Sequence, residues 1–349
     1  MSRRIYALVA LALGACSLQR NSPQSQVLKS SAMPADDHMA HMSAADMAAP
    51  RITVDGVERA KHSAQGMAGL PASAITAEAR LKASPRHSEW VKIAWEAGST
   101  DSLMAYVVYP TTKTKAPVVV VVHEIFGLST WVRGVADQVA AEGFIAVAPD
   151  ILSRVRGGPS TVELASDTAT KLIRSIGSAE RNKAVNASAN YAMMLPSAQQ
   201  KYGIIGYCWG GQTVFMHAIN NGVKGFAGGV AFYGMPYTKG GAPATATTAA
   251  VPATIDTDSL AKIKMPVMLL SGSKDARIGA SMPALDSLMK QLGKSYSGTN
   301  YEGATHGFLR AQDDPKATRD VTEEAANVAA TKDGWPKTVA FLKKNLGVK

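Results

Sequence analysis

Ala116–Val122 reads Ala-Pro-Val-Val-Val-Val-Val and is apolar at every position. A strand of this kind suits the centre of a sheet covered on both faces. Shorter apolar runs at residues 144–148, 202–206, 227–233 and 266–270 predict further strands. Between them, apolar residues recur at helical spacing over 132–142, 161–176, 179–195, 212–220 and 284–292, and a last helix is predicted over 335–346. Ahead of the valines, residues 90–96 and 102–109 alternate and turn near Gly98, which predicts an antiparallel hairpin. This alternation predicts an α/β fold: a doubly wound, mostly parallel sheet with helices on both faces and right-handed crossovers. In such sheets the ligand crevice lies beyond the carboxyl ends of the strands, so chemistry is sought just after each strand.

The rhythm is absent before residue 87. Ser2-Arg3-Arg4 followed by the apolar residues 5–13 reads as a charged segment and a short hydrophobic one, too short to span a bilayer. Residues 1–15 are therefore predicted to be a signal peptide, with only a faint twin-arginine character. Leu13-Gly14-Ala15-Cys16 resembles the bacterial lipobox, in which Cys16 is acylated after cleavage. The expectation is an exported, periplasmic protein anchored to a membrane through lipid on Cys16, or free in the periplasm if Cys16 is not acylated. Residues 16–86, rich in Ala, Ser, Met, Gln and Pro, read as a low-complexity tether with at most short helical pieces. They lead into the α/β domain over 87–349. Within the tether, His38, Met39, His41 and Met42 could ligate copper through imidazole and thioether, but an ordinary linker is the preferred reading.

Composition narrows the function classes. The chain of 349 residues is 46% hydrophobic and 18% charged, which permits a sizeable core. Its formal charge of +10 is spread rather than blocked, and no nucleic-acid-reading motif accompanies it. Two cysteines, Cys16 and Cys208, exclude a disulfide framework and any zinc site of paired cysteines.

Cys208 sits in Gly206-Tyr207-Cys208-Trp209-Gly210-Gly211, after one predicted strand and before a helix. That is the nucleophile-elbow pattern with Cys in place of Ser. The sharp turn raises the sulfur above the sheet edge, at a helix N-terminus that favours thiolate. Ser271-Gly272-Ser273-Lys274-Asp275 follows a later strand, where Asp275 can orient an imidazole or merely cap the next helix. His306 lies in a loop before the closing helices, completing the order nucleophile, acid, histidine. The remaining histidines fall in the tether or at its edge, inside a helix (His217), or at the end of the valine run (His123), where support of the neighbouring loop suffices. That loop, His123-Glu124-Ile125-Phe126-Gly127-Leu128, follows the strand that supplies the second oxyanion donor in such folds. The N–H groups of Ile125 and Trp209 are the expected donors.

Together, Glu124-Ile125-Phe126-Gly127, Pro149-Asp150-Ile151-Leu152, the Gly206 to Gly211 elbow, Ser271 to Asp275 and Thr305-His306-Gly307-Phe308 resemble the dienelactone hydrolase family over the chain from about Trp90 onward. The resemblance implies hydrolysis of a small ester or lactone carrying a carboxylate, through a thioester on Cys208. It implies that Glu124 contacts the resting thiol and helps ionise it when substrate displaces the carboxylate. It also implies that Arg154, or alternatively Arg156, holds the substrate carboxylate. No second arginine is evident, and residues 237–258 form an Ala-, Thr- and Gly-rich insertion where one would be sought. The chemistry needs no metal and no organic cofactor. The alternatives are a small-acyl carboxylesterase on the same scaffold and a non-enzymatic ligand- or copper-binding lipoprotein. The oligomeric state is left open.

Overall fold

The computed structural model describes residues 66–348, apart from 161–164, 237, 241–247, 250–253, 313, 315–317 and 319. The expected signal peptide, Cys16 and the His38–Met42 segment lie outside the described residues, as does much of 237–258.

One eight-stranded sheet organises the domain. Its strands are β1 (Ser88–Ala94), β2 (Ser102–Val108), β3 (Ala116–Val122), β4 (Ile145–Asp150), β5 (Ala198–Tyr207), β6 (Phe226–Phe232), β7 (Val267–Gly272) and β8 (Tyr296–Tyr301), in the order β1-β2-β4-β3-β5-β6-β7-β8. β1 and β2 form the expected antiparallel hairpin, β2 is antiparallel to β4, and every other pairing is parallel. Every residue of β3 and β4 is buried, so both faces of the sheet centre are covered, as a run of valines requires.

The main helices are α1 (Ala77–Ala83), α2 (Thr130–Ala141), α3 (Ser178–Met193), α4 (Trp209–Ile219), α5 (Ala276–Gln291), α6 (Phe308–Ala311) and α7 (Val321–Leu346). Two of them start well before the expected positions. α5 runs through Pro283 and α7 through Pro336, where the sequence pattern places helix starts at 284 and 335. Proline is common in a first turn and breaks an isolated helix interior, which made both look like beginnings. Packing overrides that preference here: Trp335, Thr338 and Leu342 of α7 are buried. β8 was not expected at all. Its sequence, Tyr-Ser-Gly-Thr-Asn-Tyr, is mostly polar, and as an edge strand it is half exposed.

The tether boundary is corrected at its C-terminal end. Residues 66–86 pack onto the domain, with Ala72, Ser73 and Ala77 buried. Trp131 Nε1 donates to Ala72 O at 3.0 Å, and Arg86 makes a bidentate pair with Asp137 of α2. Small side chains bury well when a partner surface is ready, so low large-residue content did not mean a free segment.

Candidate active site

β5 ends at Tyr207, α4 begins at Trp209, and Cys208 alone makes the turn. Its backbone takes φ 55° and ψ −113°, a conformation that costs an L residue about 1–3 kcal/mol and persists only where the surroundings impose it. Cys208 N donates to Phe232 O at 3.0 Å, and Gln212 N donates to Cys208 O at 3.1 Å. A Cβ on Gly206 would stand 2.0 Å from the Gly210 carbonyl oxygen, and one on Gly210 would stand 2.4 Å from Val122 O. Glycine at both positions is what allows β5, α4 and β3 to converge beneath the sulfur.

Asp275 follows β7 at the N-cap of α5, yet its side chain makes no capping bond. Its Oδ2 accepts from His306 Nδ1 at 2.5 Å instead. This leaves the far side of the imidazole for the sulfur, and His306 and Cys208 act on each other electrostatically. The histidine loop is clamped to the aspartate loop: Lys274 N donates to Ala304 O at 3.0 Å and Gly303 N to Ser273 Oγ at 2.8 Å. Asn327 Oδ1 of α7 accepts from Thr305 N at 2.9 Å. The structure therefore brings Cys208, His306 and Asp275 into one buried line.

Burial pushes the Cys208 thiol up; His306 pulls it down, and Glu124 adds to the rise. The balance is upward, towards the protonated thiol. Burial works against a protonated His306, but its couplings to Cys208 and Asp275 outweigh it and hold the imidazole well above the usual range. Trp209 N–H lies close enough to the sulfur to lower its thiol. Ile125, fully buried, lies in the turn closed by Gly127 N donating to Glu124 O at 3.3 Å.

His123 braces that turn. Its Nε2 accepts from Ile151 N at 3.1 Å, so the proton resides on Nδ1, which donates to Glu124 O at 2.6 Å. Its ring stacks on Trp209 at 5.5 Å. Burial lowers its pKa to about 4, keeping it neutral and the tautomer fixed.

Glu124 enters the site, but its direct partner is a residue that sequence reasoning missed. Arg310 Nε lies 3.3 Å from Glu124 Oε2, with the guanidinium 5.6 Å over the Phe126 ring. Burial raises the Glu124 carboxyl, while Arg310 and His306 pull it back. Arg310 lies four residues after His306, on α6, so both side chains leave one short stretch of chain. That proximity to His306 was the available signal. Two further polar ends were missed: the Tyr207 and Tyr233 hydroxyls are buried, and neither finds a hydrogen-bond partner among the described residues. Burial and the charge of Glu124 keep both as neutral phenols.

Arg154 is engaged elsewhere. It donates to Glu180 Oε1 at 2.6 Å and Asp101 Oδ2 at 2.5 Å, and lies 3.7 Å over the Trp95 ring. Two carboxylates and an indole thus take up the guanidinium expected to hold substrate, tying the hairpin turn to α3. Arg156 lies close enough to Asp150 to lower its carboxyl, although burial dominates and raises it to about 6. His217 is a packing residue, donating or accepting between Tyr202 and Asn182. Among the described residues, no group of three or more His, Cys, Asp or Glu could hold a metal ion.

The dienelactone hydrolase family model matches residues 103–346. A candidate carboxymethylenebutenolidase of Synechocystis sp. is 29% identical over 252 residues, covering 70% of this chain and 92% of its own. A candidate 2-oxo-3-(5-oxofuran-2-ylidene)propanoate lactonase of Bradyrhizobium sp. is 25% identical over 268 residues, covering 74% of this chain and 94% of its own. Among solved structures, a candidate dienelactone hydrolase from Klebsiella pneumoniae superposes with a TM-score of 0.58 at 22% identity, covering 74% of this chain and 99% of its own. At that identity the superposition speaks for the α/β-hydrolase fold alone. With the family match extending from β2 to the end of α7, the chain belongs to the dienelactone hydrolase family and is a hydrolase of esters or lactones.

Proposed function

We propose that the enzyme opens a small ester or lactone carrying a carboxylate, with Cys208 as nucleophile, His306 as proton carrier and Asp275 as its orienting acid. The observation that carries this reading is the Glu124–Arg310 pair beside the thiol, its carboxylate buried and its guanidinium a quarter exposed. Breaking the pair leaves Arg310 without its counter-charge, a cost tempered by the quarter of its side chain that stays in contact with solvent. A substrate carboxylate that takes the place of Glu124 on Arg310 avoids that cost, whereas a neutral ester cannot. The two relatives' names likewise denote lactones bearing a carboxylate.

Once displaced, Glu124 is a buried carboxylate without its cation and takes up a proton. If that proton comes from Cys208, the thiol becomes thiolate and Glu124 becomes neutral. The thiolate attacks the carbonyl carbon, and the oxyanion rests on the N–H groups of Trp209 and Ile125. Collapse breaks the C–O bond, and His306 gives its proton to the departing oxygen. The neutral imidazole then takes a proton from water, which cleaves the thioester.

Hydrolysis of a carboxylate-bearing lactone or ester, compared with its neutral methyl ester and with Cys208→Ala as blank, tests this. A strong preference for the anionic substrate is expected. Equal turnover of both would point to a small-acyl carboxylesterase. Export and acylation of Cys16 are part of the same proposal and rest on Leu13-Gly14-Ala15-Cys16. Incorporation of labelled fatty acid into the wild type but not Cys16→Ala tests them.

A further inference from the structure

Residues 66–83 lie outside the part of the chain that the family model matches, yet they contact the site from two sides. On one side, Ala74 N donates to the carbonyl of Arg310 at 3.0 Å. Gln312, only 2% exposed, donates from Nε2 to Pro71 O at 2.9 Å and to Leu309 O at 3.0 Å. On the other, Trp131 Nε1 donates to Ala72 O, and the same indole meets Tyr207 edge-on at 5.0 Å, one residue before Cys208.

The segment is irregular from Gly66 to Thr76, so its backbone groups need partners from elsewhere. Side chains supply them. Arg80 donates to Leu70 O, and to Met67 O at 2.8 Å, while its guanidinium also reaches Gln138 of α2 at 3.0 Å. Ala77 packs where α2 has Gly134; a Cβ there would stand 3.3 Å from Ala77 Cβ. Few of these groups would be held this way in a passive linker, because each bond restricts chain that would otherwise be free.

α6 is a single turn, Phe308–Ala311, flanked by Gly307 in the left-handed region at φ 74°. So short a helix has little rigidity of its own, and its orientation is set by what it touches. The strap grips it at Arg310 O and, through Gln312, at Leu309 O. The Arg310 guanidinium then projects back toward Glu124.

We infer that residues 66–83 are a strap that positions Arg310, making Ala74 and Gln312 positioning residues for recognition of the substrate carboxylate. This rests on the reading of Arg310 given above. The strap acts through Arg310 on Glu124: with the pair intact, the carboxylate keeps the thiol protonated; with Arg310 displaced, Glu124 becomes neutral and the thiolate forms more readily.

Full-length Ala74→Pro and Gln312→Leu test it. Ser73 O accepts from Ala77 N at 3.0 Å, so Ala74 is the residue after the acceptor of a single turn, a position that tolerates proline. That substitution removes little besides the N–H that reaches Arg310. Misplacement of the guanidinium is expected to raise KM for the anionic substrate by about tenfold or more, while turnover of the neutral ester is not reduced. Iodoacetamide alkylation of Cys208 in substrate-free protein should accelerate, though less than in Arg310→Gln. Equal losses on both esters, or unchanged anionic KM together with unchanged alkylation, would overturn the strap's role. If Arg310→Gln itself leaves selectivity intact, the reading of Arg310 fails, and alkylation alone then decides whether the strap positions the pair. Thermal melts of both variants separate these outcomes from global unfolding.

Discussion

Arg310 Nε and Glu124 Oε2 stand 3.3 Å apart, joining the helix after His306 to the turn after β3. The pair lies beside the only free cysteine among the described residues, and Glu124 is 3% exposed. A charge so placed cannot be neutral to the thiol's ionisation.

Glu124→Gln is therefore expected to speed alkylation of Cys208 near neutral pH, because the negative charge that raises the thiol is gone. Mass spectrometry of the labelled peptide reports the rate. Rapid labelling of the wild type, unchanged by the substitution, would mean that a formed Cys208–His306 ion pair exists already at rest.

Cys208 pairs activity with strain. Cys208→Gly should abolish hydrolysis while raising stability by about 1 kcal/mol or more, since glycine adopts this backbone without steric cost. Denaturant titration measures the gain. A loss of stability would show that the sulfur's packing outweighs the relief.

Asp275→Asn should lower kcat by orders of magnitude with little change in folding, because the amide can present N–H to Nδ1 and favour the wrong tautomer. Full kcat in this variant would remove Asp275 from the mechanism.

His123 carries an acid sensitivity. Its folded pKa of about 4 lies below the ordinary value of 6.5, so the unfolded chain binds a proton more readily over that interval. Stability is then full above pH 6.5 and falls as the pH drops towards 4, by about 3 kcal/mol from this group. Asp150, raised to about 6, acts in the opposite direction between its folded and ordinary values. His123→Gln can keep a donor to Glu124 O and an acceptor for Ile151 N without titrating. Its stability should fall less steeply with acid than that of the wild type, and parallel curves would refute the assignment.

Arg154→Ala should lower the melting temperature and leave the ratio of anionic to neutral ester turnover unchanged. The side chain is committed to Trp95, Asp101 and Glu180. A selective rise in KM for the anionic ester would return Arg154 to the substrate.

Much of the site could be read along the chain because local geometry dictates it. A strand, a sharp turn and a helix that meet at Cys208 must carry glycine beside it, and the valine run must lie inside. Arg310 escaped because its role arises from a partner far away in sequence, and no local pattern marks a cation that folds onto Glu124. Arg154 misled for the converse reason: its position after Pro149-Asp150 fitted, but Asp101 and Glu180 arrive from separate segments and claim it. The strap was read as free chain because Ala72 and Ala77 announce no hydrophobic face until α2 is opposite them. β8 lacked apolar alternation because one side of an edge strand faces water.

The bond from Gln312 to Pro71 joins positions 241 residues apart. Closing so long a loop comes late, after local pairings have formed, and in synthesis the strap emerges well before its clasp exists. A refolding chain should therefore pass through a form with the elbow made and α6 still ungripped. In interrupted refolding, neutral-ester activity is expected to return first, and discrimination between anionic and neutral esters only afterwards. Substrate choice would then be a property acquired in time, separately from the capacity to cleave.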